Sequence, residues 1–290
     1  MGTLEDLEAA RTTAAGVPVV RSAGWVVPGL ARVEGHRLLR HPAFLLTTTL
    51  SLVMATSGRG IDFSVLVLSG WASAAIALGV ALAANLAASR SRRDGTDELF
   101  ASLPADERAR TTGHLLSVAW AVVAGAVLLV IVAAAIHAGG GPAVRLGGSV
   151  RDHSLAPAEL AQGPLVIATM GVVAVALGRL WPSRLIGSAL AVAPLLVVQF
   201  LGGDRRWFGA WVNHADTVPD GYWPHPEIAP ATDLVGFDVV SLNWHLLYLT
   251  GLAALAITVA LGRGRASFAV VGTAVAALAM AIVGGVAQLR

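Results

Sequence analysis

Seven long apolar stretches dominate this chain, at about residues 43–58, 63–88, 114–138, 162–180, 185–202, 243–262 and 267–288. A helix that crosses the hydrocarbon core of a bilayer needs about 20 mostly apolar residues, and every stretch but the first comes close to or exceeds that length. In hydrocarbon each backbone N–H and C=O must find its partner within the protein, so runs of this kind are read as helices. Only 13% of the 290 residues are charged, against about 25% in soluble domains. The predicted fold is all-α: a polytopic helical membrane protein with six to seven transmembrane helices, forming one domain over residues 28–288.

Charge sets the expected orientation. The twenty basic residues are all arginine. With the N-terminus in the cytoplasm, fourteen of them fall on the inner side and six on the outer, while nine acidic residues from Asp62 to Asp238 share the outer face. The positive-inside rule favours that arrangement, in a multi-pass protein of the plasma membrane. An odd span count then leaves the C-terminus outside, with Arg290 against the rule.

Residues 1–27 lack the basic start and apolar run of a secretory signal, and read as a flexible cytoplasmic tail. From Pro28 to Pro42, Leu30, Val33, Leu38 and Leu39 alternate with Arg32, Glu34, Arg37 and Arg40 at helical spacing. One reading is an amphipathic helix on the membrane surface, with its charged side towards lipid headgroups. The other is an ordinary helix start with topogenic arginines, and both stay open.

Absent residue types exclude several functions. Without cysteine there is no disulfide, thiolate metal site or cysteine nucleophile. Without lysine the chain holds neither a nucleotide-binding P-loop nor a Schiff base. No Asp or Glu lies in the middle of an apolar stretch, which argues against a proton-coupled carrier and a two-aspartate protease. No G-x-S-x-G motif appears, and the arginines are spread among loops, so neither an enzyme nor nucleic-acid binding is expected.

Two polar segments exceed simple turns: residues 89–113 on the inner side and 203–242 on the outer. Within the first, RRDGTDELFASLP spans residues 92–104. Thr96 is placed to N-cap a short helix, with Asp97 and Glu98 in the first turn where the helix dipole favours anions. Leu99, Phe100 and Leu103 supply an apolar patch, and Pro104 opens a second short helix, ADERART, leading into the third span. Charged residues around such a patch suit a docking surface for another protein. A topogenic arginine cluster on an unspecialised loop is the competing reading.

The run Arg93, Gly95, Thr96, Glu98, Leu99 and Pro104, with Asp94 inside it and Phe100 where Leu is usual, resembles the R-x-G-T-x-E-L-L-x-x-x-P loop of ABC exporter permeases of the type-2 membrane family. The amphipathic Glu34–Arg40 segment and the large outer loop agree with that layout, whereas the seventh span departs from the six usual there. The resemblance implies that Arg93, Asp94, Gly95, Thr96, Glu98, Leu99, Phe100, Leu103 and Pro104 form a coupling helix seated on a separate ATPase subunit. ATP and Mg would then bind that subunit and no cofactor this chain. A second permease chain, identical or related, and membrane lipids complete the expected partners. The rival classes are a membrane anchor or sensor that recruits a non-ATPase partner, and a secondary carrier.

Other polar residues have two readings each. Thr47, Thr48, Thr49 and Ser51 in the first span either bond back to the helix backbone or line a substrate path, and Asn85 and Gln199, deeper in theirs, either join helices or face the pore. His114, His137 and Arg179 fall near span ends, where snorkelling explains them. His214, Asp216 and His225 carry metal-ligand chemistry, but loops hold such residues by chance. Small residues four apart, such as Ala256 with Ala260 and Gly272 with Ala276, allow close helix packing.

Overall fold

The computed structural model describes residues 23–57, 65–96, 106–138, 143–146, 149–152, 157–181, 183, 188–189, 239–263 and 267–287. In chain order they form α1 (Ala23–Leu39), α2 (Pro42–Ser57), α3 (Val65–Arg93), α4 (Glu107–Ala138), β1 (Ala143–Leu146), β2 (Ser149–Asp152), α5 (Pro157–Leu180), α6 (Val239–Gly262) and α7 (Phe268–Ala287). Five of these helices, α3 to α7, are long and apolar enough to cross a membrane. α2 is apolar but shorter, as its sequence predicts. The seventh predicted span is present as α7, whereas 185–202 lies almost wholly outside the described residues. The fold is all-α as expected, with one small addition: β1 and β2 pair antiparallel with Leu146 opposite Ser149. Gly147 and Gly148 stand between them, the residue type a two-residue hairpin asks for.

Local chemistry sets the helix ends. Pro42 opens α2 at the position where its missing N–H costs nothing, and His41 Nδ1 accepts the Ala43 N–H at 3.2 Å. Asp106 caps α4 by accepting the Ala109 N–H at 2.6 Å. Residues 106–111 of the segment ADERART are therefore the cap and first turn of a continuous 32-residue helix, not a separate one. Ser267 caps α7 through Val270 N at 3.3 Å.

α3 and α5 are the centre of the bundle, with 67% and 61% of their apolar windows buried, whereas α7 has 17%. They run parallel: Ser73 lies against Gly163 at one end and Asn85 against Gly178 at the other. α4 packs antiparallel to both, with Ile167 over Gly125 and Val118 over Gly171. α6 runs parallel to α5, since Thr169 meets Leu249 and Arg179 meets Arg263. Leu180 and Val239 therefore lie at opposite ends of the bundle. α7 folds back on α6, and α2 packs on the N-terminal half of α3.

Lipid tails are as apolar as leucine, so burial of side chains gives helices little reason to associate in a membrane. Close packing of small residues does more. A Cβ on Gly251 would stand 2.5 Å from the Ala281 nitrogen, and one on Gly284 would stand 2.5 Å from the Tyr248 nitrogen. The α6–α7 seam is thus Gly251, Ala277, Ala281 and Gly284, with Ala256 and Ala260 buried beside it. Gly272 and Ala276 face outward.

Two outcomes follow. Gly284→Val forces α7 off its neighbour's backbone and lowers detergent-phase stability by about 1–3 kcal/mol, whereas Gly272→Val, with nothing within 4 Å of its Cβ position, leaves the unfolding midpoint unchanged. His41 is held below its ordinary pKa of 6.5 by burial and by the Arg90 guanidinium. Its cap on α2 is therefore complete above the ordinary value and is lost as pH falls below it, through the lowered one. Amide exchange at Ala43 reads the loss, and His41→Asn, which caps at any pH, abolishes the pH dependence.

Candidate functional site

Residues 97–105 connect α3 to α4, and the polar chemistry of the described protein concentrates at that end of the bundle. α3 stops there for a specific reason. Gly95 has φ +66°, a left-handed conformation that costs other L-residues about 1–2 kcal/mol. The Thr96 N–H donates to Ser91 O at 2.9 Å and the Gly95 N–H to Arg92 O at 3.4 Å, the paired bonds of a Schellman C-cap. The Thr96 hydroxyl also donates to Ser91 O, at 3.2 Å. Its described role is thus to close α3; the helix it was expected to begin lies outside the described residues, with Glu98, Leu99, Phe100, Leu103 and Pro104. Arg93 and Asp94 form a half-exposed pair at 3.5 Å, a kind of contact that contributes little.

Beside this cap lies a network that joins four helix ends. Glu107 Oε1, on the first residue of α4, accepts Arg92 Nη2 of α3 at 2.6 Å and Arg179 Nη2 of α5 at 2.9 Å. The Arg179 carbonyl, near the end of α5, accepts Arg92 Nη1 at 2.5 Å and also Arg263 Nη1, just past α6. A carbonyl at a helix C-terminus carries the negative end of the helix dipole and suits two guanidinium groups. Arg179 is 3% exposed. It does not snorkel, because Glu107 gives it an acceptor inside the protein.

α1 packs on α4. Its buried stripe is Ala31, Glu34, Gly35 and Leu38, which seats on α4, while Val33 is 50% exposed. The stripe follows the smallest side chains because Gly35 meets the Trp120 ring and Gly113 meets Leu30. Glu34 therefore enters the seam, with Arg37 Nη1 on its Oε1 at 2.6 Å. Arg37 and Arg40 stay exposed.

The residues weighed for a substrate path have these positions. Asn85, fully buried, donates to Ala174 O at 3.1 Å and accepts from Ser188 Oγ at 3.3 Å. Ser51 donates to Ala72 O at 3.1 Å as well as to Thr47 O, and Thr47 packs on Gly79. Asn85 thus ties α3 to α5, and Ser51 ties α2 to α3. The Thr48 hydroxyl is buried without a hydrogen-bond partner among the described residues. Gln199, His214, Asp216 and His225 lie outside them. Sequence reasoning missed His245, fully buried on α6 with its ring 6.2 Å from Tyr248. It also missed Glu107 as the counter-ion of Arg179; the signal was an acid and a base at the same end of two adjacent spans.

No protein-family model, no curated protein and no solved structure matches the chain.

Gly95→Ala meets no neighbour, so its expected loss of about 1 kcal/mol is conformational, and Gly95→Asn recovers most of it in thermal unfolding. Asn85→Leu removes the bond from α3 to the Ala174 carbonyl, which keeps its acceptor role within α5, and costs about 0.5–1.5 kcal/mol in the same measurement.

Proposed function

We propose that this chain is the membrane-spanning permease subunit of an ATP-driven exporter in the plasma membrane, with its N-terminus and the α3–α4 connection in the cytoplasm. ATP hydrolysis belongs to a separate subunit, since a chain without lysine lacks the side chain a P-loop needs. The observation that carries the reading is the build of the α3–α4 junction. A left-handed Gly95 ends α3 sharply, Asp106 restarts the chain as α4, and Glu107 sits one residue beyond that cap.

A segment suspended between two such fixed ends is suited to take a push from outside. Nucleotide-driven movement of a partner would displace the segment at 97–105 and, through rigid helices, tilt α3 and α4. The motif residues Arg93, Asp94, Gly95, Thr96, Glu98, Leu99, Phe100, Leu103 and Pro104 are the proposed contact with that ATPase. A second permease chain would complete the pore.

The detergent-solubilised protein is expected to copurify with a P-loop ATPase. Glu98→Arg and Leu99→Arg are each expected to abolish that copurification and ATP-dependent transport while membrane insertion, read by protease protection, is unchanged. Retention of the ATPase by both variants rejects the assignment.

A further inference from the structure

The ties between helices divide the described bundle into two parts. α3, α5 and α6 are joined at their ends through the Arg179 carbonyl, which holds Arg92 and Arg263. They are cross-tied along their length as well, by Asn85 on Ala174 O and Thr169 on Leu249 O. α2 joins this body through Ser51 on Ala72 O.

α4 is held differently. Its buried hydroxyls turn back on their own helix, Thr111 to Glu107 O at 2.8 Å and Ser117 to His114 O at 2.7 Å. Its seam with α5 includes the apolar contacts Val118 on Gly171, Ile167 on Gly125 and Leu129 on Gly163. Of its apolar window 33% is buried, as in α6 and against 67% in α3 and 61% in α5. α1 rides on this helix, with Leu30 over Gly113 and Gly35 under Trp120. Glu107 joins α4 to both Arg92 and Arg179.

We infer that α1 and α4 move as one body against α2, α3, α5 and α6, and that Glu107 is the positioning residue that holds the two bodies together. Apolar seams between helices slide without leaving a polar group unpaired, whereas directional hydrogen bonds do not. The α4 seam is therefore where relative motion costs least. The Glu107 side chain is 56% exposed and its Arg179 partner 4%. On release the carboxylate enters water it already touches, while the buried guanidinium loses an acceptor. That asymmetry favours two discrete positions over a continuous drift.

The chain contains no cysteine, so one engineered thiol reports one place. Val118→Cys, at a site 2% exposed, reads the α4 seam, with Ala121→Cys at 0% as a second reporter on that helix. Ala88→Cys, at a site 1% exposed and beside Gly178, reads the α3–α5 seam. The rate of reaction with a water-soluble methanethiosulfonate is measured on the full chain in detergent, with Glu107 intact or changed.

Glu107→Gln is expected to speed labelling at positions 118 and 121 by about tenfold or more, the scale of losing one charge-assisted hydrogen bond. Labelling at position 88 stays the same. Arg179→Gln gives the same pattern, the double variant is no faster than either single one, and Glu107→Asp recovers part of the protection. Equal acceleration at all three positions means general loosening and overturns the inference, as does no acceleration at 118 and 121. The measurement needs no ATPase, so its outcome is separate from the fate of the exporter reading.

Discussion

A guanidinium enclosed by helices must find its acceptors in the protein, because the charge cannot be shed. Arg179 meets that requirement with Glu107, and its own carbonyl in turn gathers Arg92 and Arg263. The geometry that satisfies one buried cation thereby brings the ends of α3, α4, α5 and α6 to a common level. The Arg179 side chain adds the direct tie between α4 and α5, while its carbonyl joins α3, α5 and α6 and the Arg92–Glu107 pair joins α3 to α4. The C-cap at Gly95 and the N-cap at Asp106 fall beside this junction, so the connection between α3 and α4 starts and ends on fixed ground.

Away from that end, the bundle relies on closeness more than on burial. Glycines at 125, 163, 171 and 178 on α4 and α5 let neighbouring side chains or backbone approach where a methyl group would intrude. In lipid this adds dispersion contacts, which are weak singly and considerable together. Asn85, Thr169 and Ser51 then add bonds to backbone carbonyls, each modest in energy but directional. α3, α5 and α6 have both kinds of contact along their length, and the α4–α5 seam is mainly of the first kind. The separation of α4 and α1 from the other helices follows from where hydroxyl and amide groups stand.

Much of the helical layout was legible in the chain. Runs of Ala, Val, Leu and Gly at 63–88, 114–138, 162–180, 243–262 and 267–288 all appear as helices, since backbone satisfaction in hydrocarbon leaves no other common solution. The break at Gly95 was legible too, because a left-handed residue at a helix end is most often glycine. The continuity of α4 back to Glu107 was not, since an N-cap at Asp106 reads equally well as the start of a short helix. The pairing of Ala143–Leu146 with Ser149–Asp152 was not legible, because neither four-residue run carries a distinct strand pattern.

The pairing of helices was illegible for a simpler reason. Ala and Gly lie on nearly every face of these helices, so a four-residue spacing of small residues cannot select a seam: Ala256 and Ala260 are buried, Gly272 and Ala276 are not. By itself the sequence determined that the chain forms long apolar helices, where α3 breaks, and that it lacks the lysine of a P-loop, because each of these depends on local residue type. Tertiary structure alone decided that Arg179 is buried on Glu107, that Glu34 enters the α1–α4 seam, and that Asn85 bonds to α5. Those depend on which groups meet at a distance along the chain, and spacing within one helix does not encode that.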